Sequence, residues 1–124
     1  MKTPEDLLYA ETHEWVRVEG KEAVIGISHF AQEQLGDVTF VDLPAKGTQL
    51  LPGKQFGAIE SIKAANDLYS PVRGTVLAVN GALESSPELI NEDPYGKGWM
   101  LRVALEEIGP GLLKAADYDA RTAG

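Results

Sequence analysis

A lysine in a turn-rich segment is the residue of this chain best placed to take part in chemistry. Lys63 lies between Ile62 and Ala64, close to polar residues with turn preferences. Two apolar stretches, at residues 56–59 and 75–79, flank the segment and have the composition of short strands. The pattern predicts that two strands hold Lys63 out on a tight bend.

The neighbours of Lys63 argue against a catalytic amine. A nucleophilic lysine needs burial or a neighbouring cation that makes its amine easy to deprotonate. Glu60 and Asp67 are acids instead, and they would stabilise the ammonium form. Lys63 is therefore expected to be either an ordinary surface lysine or a covalent attachment point, whose four-carbon stem would lengthen a swinging arm.

The chain offers little else for catalysis or metal binding. It has no cysteine, which excludes thiol nucleophiles, disulfides and thiolate metal sites in the bare polypeptide. His13 and His29 are its only histidines, and neither has a partner at helical metal-ligand spacing. We find no nucleophile, base and acid set either, and we therefore predict neither an enzyme nor a metal site.

Length, charge and the first residues bound the class of protein. A chain of 124 residues, 44% of them apolar, is expected to form one domain over residues 1–124, and we expect a monomer. The net charge of −8 disfavours nucleic acid and anionic lipid as partners. No apolar run approaches the ~20 residues of a membrane span. The start has neither signal-peptide nor transit-peptide composition, so a bacterial cytoplasm is expected rather than a mitochondrial matrix.

Dense glycine and proline punctuation favours short strands over long helices. The chain contains 13 Gly and 7 Pro. Three short helices are predicted, at residues 29–35 after a Ser28 cap, at 87–91 after a Ser86 cap, and at about 112–120 in the tail. About six strands are predicted, at residues 15–19, 23–27, 38–43, 55–61, 75–80 and 99–105.

This pattern predicts a mostly β protein, a small sandwich or barrel with peripheral helices. Trp15 and Trp99 are expected to anchor the core or its rim. The core is expected to contain the inward-facing apolar residues of the strands, namely Val16, Val18, Ile25, Ile27, Phe40, Ile59, Val76, Val79, Leu101 and Val103.

Several blocks of this sequence resemble one protein family. The segment Glu60-Ser61-Ile62-Lys63-Ala64-Ala65, followed by Asp67 and Gly74, resembles the lipoylation segment of the glycine cleavage system H proteins. The block His13-Glu14-Trp15-Val16 resembles their N-terminal signature. Further similar blocks stand in the family's order and extend the resemblance over nearly the whole chain, at residues 26–28, 31–32, 35–37, 40–44, 86–96 and 98–100.

The resemblance implies a fold, a cofactor and a set of partners. The fold would be a barrel-sandwich hybrid of two small antiparallel sheets, with an N-terminal extension and a C-terminal helix. Lys63 would carry (R)-lipoate in amide linkage, and Glu60, Ser61 and Ala64 would help lipoylating enzymes to recognise it. The non-catalytic carrier would take an aminomethyl group from glycine decarboxylase (P protein) to aminomethyltransferase (T protein). Dihydrolipoamide dehydrogenase (L protein) would then reoxidise it.

Two acids near the similar blocks suggest a shelter for the loaded arm. An aminomethyl group carries an amine that is cationic near neutral pH and fragile in water, so a carrier benefits from parking it in a cleft. We hypothesise that Glu14, helped by Thr12 or Asp67, pairs with that amine. The alternative is that both acids are surface carboxylates, with Asp67 serving a turn.

Other carrier functions stay open. The same modified Lys63 would also suit a lipoyl relay that donates lipoyl groups to other complexes. A biotin carrier is disfavoured, because biotin domains typically place methionines around the lysine, whereas Ile62 and Ala64 stand here. Arg73 and Ala78 depart from the residues common in the family, which bears on partner affinity rather than on attachment.

Overall fold

Two antiparallel sheets enclose one main core in the computed structural model, which describes residues 3–122. The larger sheet has six strands in the order β1-β2-β3-β9-β8-β5, and the smaller has three in the order β4-β6-β7. The strands are β1 Leu8–Tyr9, β2 Glu14–Glu19, β3 Glu22–Ile27, β4 Val38–Asp42, β5 Gln49–Leu50, β6 Gln55–Ser61, β7 Ala65–Tyr69, β8 Val72–Val79 and β9 Leu101–Ile108. The helices are α1 His29–Leu35, α2 Ala82–Ser85, α3 Leu89–Glu92 and α4 Ala115–Thr122.

Both sheets contribute to the main core, which confirms the predicted barrel-sandwich hybrid. Ile25, Val76 and Val103 come from the large sheet, and Ile59 and Leu68 come from the small one. A second cluster lies under the C-terminal helix and contains Leu7, Tyr9, Trp15, Val24, Ala115 and Tyr118. None of the helices described between residues 3 and 122 is long and apolar enough to cross a membrane.

The predicted core is correct at most positions and wrong at two. Val79 is only partly buried, whereas Val18 and Phe40 are 43% and 52% exposed. Val18 lies one residue before the end of β2, near the hairpin turn, where the last two residues of the strand are exposed. Phe40 follows a register shift in β4 after the buried Val38, and such an irregularity turns the side chains that follow it to the other face.

The second strand of the lysine bend was predicted at the wrong place. Lys63 lies between β6 and β7, whereas residues 75–79 belong to β8 in the other sheet. Strand β7 is an edge strand that begins with the exposed residues Ala65, Asn66 and Asp67. A strand with so little buried apolar surface gives no alternating hydrophobic pattern, so sequence periodicity does not reveal it.

The first predicted helix is confirmed and the second is displaced. Helix α1 has the predicted bounds, and the Ser28 side chain caps it by accepting a hydrogen bond from Ala31 N at 3.2 Å. The Ser86 cap is wrong, because Ser86 ends α2 and α3 begins only at Leu89, after Glu88. The intervening Ser86 and Pro87 form a turn that Leu89 N closes onto Ser86 O at 3.1 Å.

The C-terminal predictions are correct in type and displaced in position. The last strand begins at Leu101, and Trp99 packs against the second cluster instead of extending the strand. The tail helix begins at Ala115, three residues later than predicted. The predicted domain also includes Met1, Lys2, Ala123 and Gly124, which lie outside the described residues.

Candidate functional site

Lys63 occupies the tip of a hydrogen-bonded hairpin. Ser61 and Ala64 close the turn, since Ser61 N donates to Ala64 O at 2.8 Å. The Ser61 hydroxyl oxygen accepts from the backbone N–H groups of Lys63 at 3.3 Å and Ala64 at 3.1 Å. Glu60, on β6 just before the turn, pairs with Ala65. The turn therefore holds the backbone around an exposed lysine side chain in one geometry.

The segment after α1 supports this hairpin tip. Ile62 N donates to Asp37 O at 3.1 Å, which joins the tip to the start of the small sheet. The stem of Lys63 crosses Gly36, where an added Cβ would lie 3.3 Å from Lys63 Cε. Gly36 also has a φ of +75°, a conformation that disfavours residues with a side chain. Glycine at this position thus gives both the turn and the space beside the lysine.

Asn91 fixes that supporting segment from the interior. Its side-chain amide donates to Gly36 O at 2.8 Å and to Gln32 Oε1 at 2.9 Å. Its carbonyl oxygen accepts from Val38 N at 2.9 Å. One side chain therefore connects the end of α1 to the beginning of β4. Sequence reasoning assigned Asn91 no such role, because an amide that bonds distant backbone groups leaves no local pattern.

Glu14 is a buried carboxylate rather than a surface one. It is 1% exposed, and burial raises its pKa although two donors stabilise the charged form. Thr12 Oγ1 donates to one carboxylate oxygen, and Tyr69 N donates to the other at 3.0 Å. The Tyr69 contribution comes from the backbone, so no side-chain pattern in the sequence could have predicted it.

The predicted shelter residues converge on one cleft beside β7. Thr12 and Asp67 line a cavity of about 540 Å³, and Glu14 lies behind it, bonded to Thr12 and Tyr69. Asp67 is exposed and accepts a hydrogen bond from Gln55 Nε2 at 3.0 Å, so it is not bonded to Glu14. The other lining residues are Glu11, His13, Ala65, Asn66 and Tyr69.

A second, more apolar cavity adjoins this cleft. Its volume is about 400 Å³, and Thr12 and Tyr69 line both cavities. Its remaining lining residues are Ala10, Pro52, Gly53, Ser70, Pro71, Gly109, Pro110 and Leu112. A polar cleft that continues into an apolar one suits a flexible arm with an apolar chain and a polar end.

Neither histidine lies in a metal-like arrangement. His13 Nδ1 and the Tyr118 hydroxyl are 2.8 Å apart, and burial lowers the pKa of His13. His29 faces Gln32 and Glu33 on its own helix. Within residues 3–122, no group of three or more His, Cys, Asp or Glu side chains could hold a metal ion.

A barrel-sandwich hybrid with a lysine at the tip of a hairpin is the arrangement of carrier domains that bear their cofactor on that lysine. Comparisons with known proteins give the family. The family model described as glycine cleavage H-protein matches residues 7–122. A crystal structure of a glycine cleavage system H protein from Mycobacterium marinum is similar, with a TM-score of 0.92 and 35% identity, covering 98% of this chain and 99% of that one.

Curated relatives agree with this result. A glycine cleavage system H protein of Nitratidesulfovibrio vulgaris strain Miyazaki F is 63% identical over 120 residues, covering 97% of this chain and 94% of the relative. One from Rubrobacter xylanophilus is 57% identical over 118 residues, covering 95% and 93%. The chain belongs to the glycine cleavage H-protein family.

Proposed function

We propose that this protein is the lipoylated carrier of a glycine cleavage system, with lipoate attached to Lys63. The observation that carries the proposal is an exposed lysine on a hydrogen-bonded hairpin tip, followed directly by the strand β7 that lines the cleft. Lipoate would supply the two sulfurs that the cysteine-free chain lacks. The partners would be glycine decarboxylase, aminomethyltransferase, dihydrolipoamide dehydrogenase and lipoylating enzymes. Its bacterial relatives support a bacterial cytoplasm as its location.

The hairpin suits an attachment point because its backbone is fixed while its side chain is accessible. Within the described residues, no salt bridge includes Lys63, although acids outnumber bases in the chain by 19 to 11. The adjoining Glu60 and Ala64 are exposed, so a modifying enzyme could read them together with the lysine. We propose that Glu60 and Ala64 are contacted directly, and that Ser61 contributes by shaping the turn.

The distance between Lys63 and the cleft suits an extended arm. Asp67 and Tyr69 lie four and six residues beyond Lys63, which at ~3.3 Å per strand residue is at most roughly 13 and 20 Å. An arm folded back along β7 would therefore pass Asp67 first and end near Thr12 and Tyr69, where the two cavities adjoin. Its apolar chain would lie against the apolar cavity there, and the cleft would shield one side of its loaded end from water.

Thr12, Glu14 and Asp67 would bind the amine of the loaded arm. The Thr12 hydroxyl donates its proton to Glu14, which leaves its oxygen lone pairs to accept from an ammonium group. Asp67 is exposed on the same cleft and would accept a second hydrogen bond. The buried negative charge of Glu14 would then act on the amine through Thr12, and would hold its proton in place.

Intact mass with peptide mapping tests the attachment. The protein would be produced in a lipoate-replete host, alongside Lys63→Arg and Lys54→Arg as a matched control at the other end of β6. We expect a lipoyl increment on Lys63 that is lost in Lys63→Arg and retained in Lys54→Arg, because Lys54 is exposed but lies outside the hairpin tip. An unmodified Lys63 in cells that lipoylate other proteins would refute the carrier function.

A further inference from the structure

The turn that supplies Thr12 and Glu14 contains a strained residue. His13 has a φ of +80° and is the only residue other than glycine with a positive φ among residues 3–122. A side chain makes this conformation unfavourable by roughly 1–2 kcal/mol, so surrounding contacts must hold it. The turn is closed locally by His13 N, which donates to Ala10 O at 2.9 Å, and by Ala10 N, which donates to Glu14 O at 2.8 Å.

The C-terminal helix α4 contacts the turn on both sides of Thr12. The hydroxyl of Tyr118 lies 2.8 Å from His13 Nδ1 and 2.6 Å from Ser28 Oγ. One turn further along the helix, Arg121 Nη1 donates to Glu11 Oε1 at 2.7 Å. Two residues of one helix thus hold the residues immediately before and after Thr12.

The Tyr118 side chain is itself held in place. It is 2% exposed, and its ring stacks on that of Tyr9 at a centroid distance of 4.6 Å. Burial raises the pKa of Tyr118 to about 12, so its hydroxyl keeps its proton at physiological pH. Its partner Ser28 caps α1, which connects the turn to that helix as well.

The turn also borders two cavities. Glu11 and His13 line both the cleft beside β7 and a cavity of about 440 Å³ against α4. The second cavity is bounded by Tyr118, Arg121 and Thr122 of the helix. Because a cavity lies between part of the turn and α4, the position of the turn depends on its hydrogen bonds. These come from Tyr118 and Arg121 of the helix and from Ser28 N, which donates to His13 O at 2.9 Å.

We propose that Tyr118 is a positioning residue for the cleft: through His13 it keeps Thr12 and Glu14 directed at the amine of the loaded arm. The inference rests on the proposed carrier function. The C-terminal helix would thereby help to protect the arm, although none of its residues lines the cleft. Tyr118 acts through His13, so its effect should disappear once residue 13 no longer needs support.

The test compares Tyr118→Phe with Tyr95→Phe in lipoylated protein loaded by glycine decarboxylase from isotope-labelled glycine. Tyr95 is the matched control, because its hydroxyl also bonds at the start of α1, where it accepts from His29 N at 2.9 Å, but it makes no hydrogen bond to the turn. Tyr118→Phe removes the hydrogen bonds to both His13 and Ser28, of which the one to His13 bears on the turn. We expect the lifetime of the loaded form to fall about fivefold in Tyr118→Phe, as is typical for the loss of one such hydrogen bond, and to be unchanged in Tyr95→Phe.

The variant His13→Gly provides a second test, because glycine adopts a positive φ without strain. If Tyr118 acts only by supporting His13, adding Tyr118→Phe to His13→Gly should shorten the lifetime no further. Nuclear magnetic resonance provides a readout independent of loading: the pKa of the Glu14 carboxyl should shift in Tyr118→Phe and stay constant in Tyr95→Phe.

The outcomes separate the two proposals. An unchanged lifetime and an unchanged Glu14 titration in Tyr118→Phe would overturn the positioning role, even if Glu14→Gln shortens the lifetime. If Glu14→Gln also leaves the lifetime unchanged, the shelter itself is wrong. Equal effects of Tyr118→Phe in the wild-type and His13→Gly backgrounds would show that Tyr118 does not act through His13.

Discussion

Replacing Glu14 by glutamine separates the charge of the cleft from its structure. The side-chain carbonyl of the introduced glutamine could accept from Tyr69 N, as Glu14 does at 3.0 Å. Its amide could donate to Thr12 Oγ1, since the hydroxyl of threonine can rotate to accept. Glu14→Gln should therefore fold normally, become lipoylated on Lys63 and lose only the negative charge.

The size of the effect of Glu14→Gln follows from the distance between the Glu14 carboxylate and the ammonium group, which are connected through the Thr12 hydroxyl. Two consecutive hydrogen bonds of about 2.8 Å, bent at the hydroxyl oxygen, place the ammonium roughly 5 Å from the carboxylate. At an effective dielectric constant of about 20 the attraction is roughly 3 kcal/mol, and in a water-like medium it is below about 1 kcal/mol. The cleft is open to solvent on one side, so an intermediate value is expected. A loss of about 1.4 kcal/mol of this attraction corresponds to a tenfold change in the lifetime of the loaded arm.

The expected result is a lifetime of the loaded arm about tenfold shorter in Glu14→Gln. A protonated amine has no lone pair available to expel the neighbouring sulfur, and removing the carboxylate makes that proton easier to lose. The assay follows release of labelled aminomethyl carbon from purified loaded protein at pH 7. Glu33→Gln is the control, because Glu33 is an exposed acid on α1 away from the cleft. Equal lifetimes for Glu14→Gln and Glu33→Gln would refute the reasoning.

Stability measurements provide a check that the variant is intact. Burial raises the pKa of Glu14, so the folded protein binds this proton more tightly than the unfolded chain does. The resulting contribution to stability is fully present below the unfolded pKa of roughly 4.3 and is lost as the pH rises through the folded value. Glu14→Gln should then be at least as stable as wild type at pH 7, with no such advantage at pH 4.

Two further predictions concern the supports of the site. Asn91→Ala removes three hydrogen bonds around Gly36 and Val38 and should lower the free energy of unfolding by about 2–3 kcal/mol, with faster amide exchange at Ile62 measured by mass spectrometry. Unchanged exchange at Ile62 would show that the hairpin tip does not depend on this support. Burial lowers the pKa of His13 in the folded protein below the value of about 6.5 that histidine has in the unfolded chain. The contribution of neutral His13 to the free energy of unfolding is therefore complete above a pH of about 6.5 and falls as the pH drops below that value. Thermal denaturation between pH 7.5 and 5 should show this loss in wild type and a smaller one in His13→Asn, and identical profiles would contradict it.

The sequence was informative where a local interaction decides the structure. Ser28 and Gly36 bound α1 as predicted, because a cap and a left-handed stop act within one turn of the helix. Strand β6 also has the predicted bounds. Family resemblance, rather than periodicity, indicated Lys63 as the attachment point, since the physical pattern alone favoured an ordinary surface lysine.

The sequence was uninformative where contacts between distant segments determine the structure. Strand β7 is formed by pairing with β6 and has little apolar surface of its own, and the register shift before Phe40 depends on the partner strand. The buried carboxylate of Glu14 accepts a hydrogen bond from a backbone donor 55 positions away, on Tyr69. Such contacts are determined by the packing of the sheets, so no window along the chain contains them.

The hydrogen bonds of Glu14 suggest a reason for a buried acid at this position. An ionised carboxylate offers about four acceptor positions, and Thr12 and Tyr69 occupy two of them. A purely structural acid would gain most from having every position satisfied, because burial penalises each unused one. The proposed role of Glu14 is a different one, in which its negative charge would attract a cation bound in the cleft one threonine away. In the proposed carrier, the stability lost through the raised pKa of Glu14 would be the cost of a site prepared for a cation before the cation arrives.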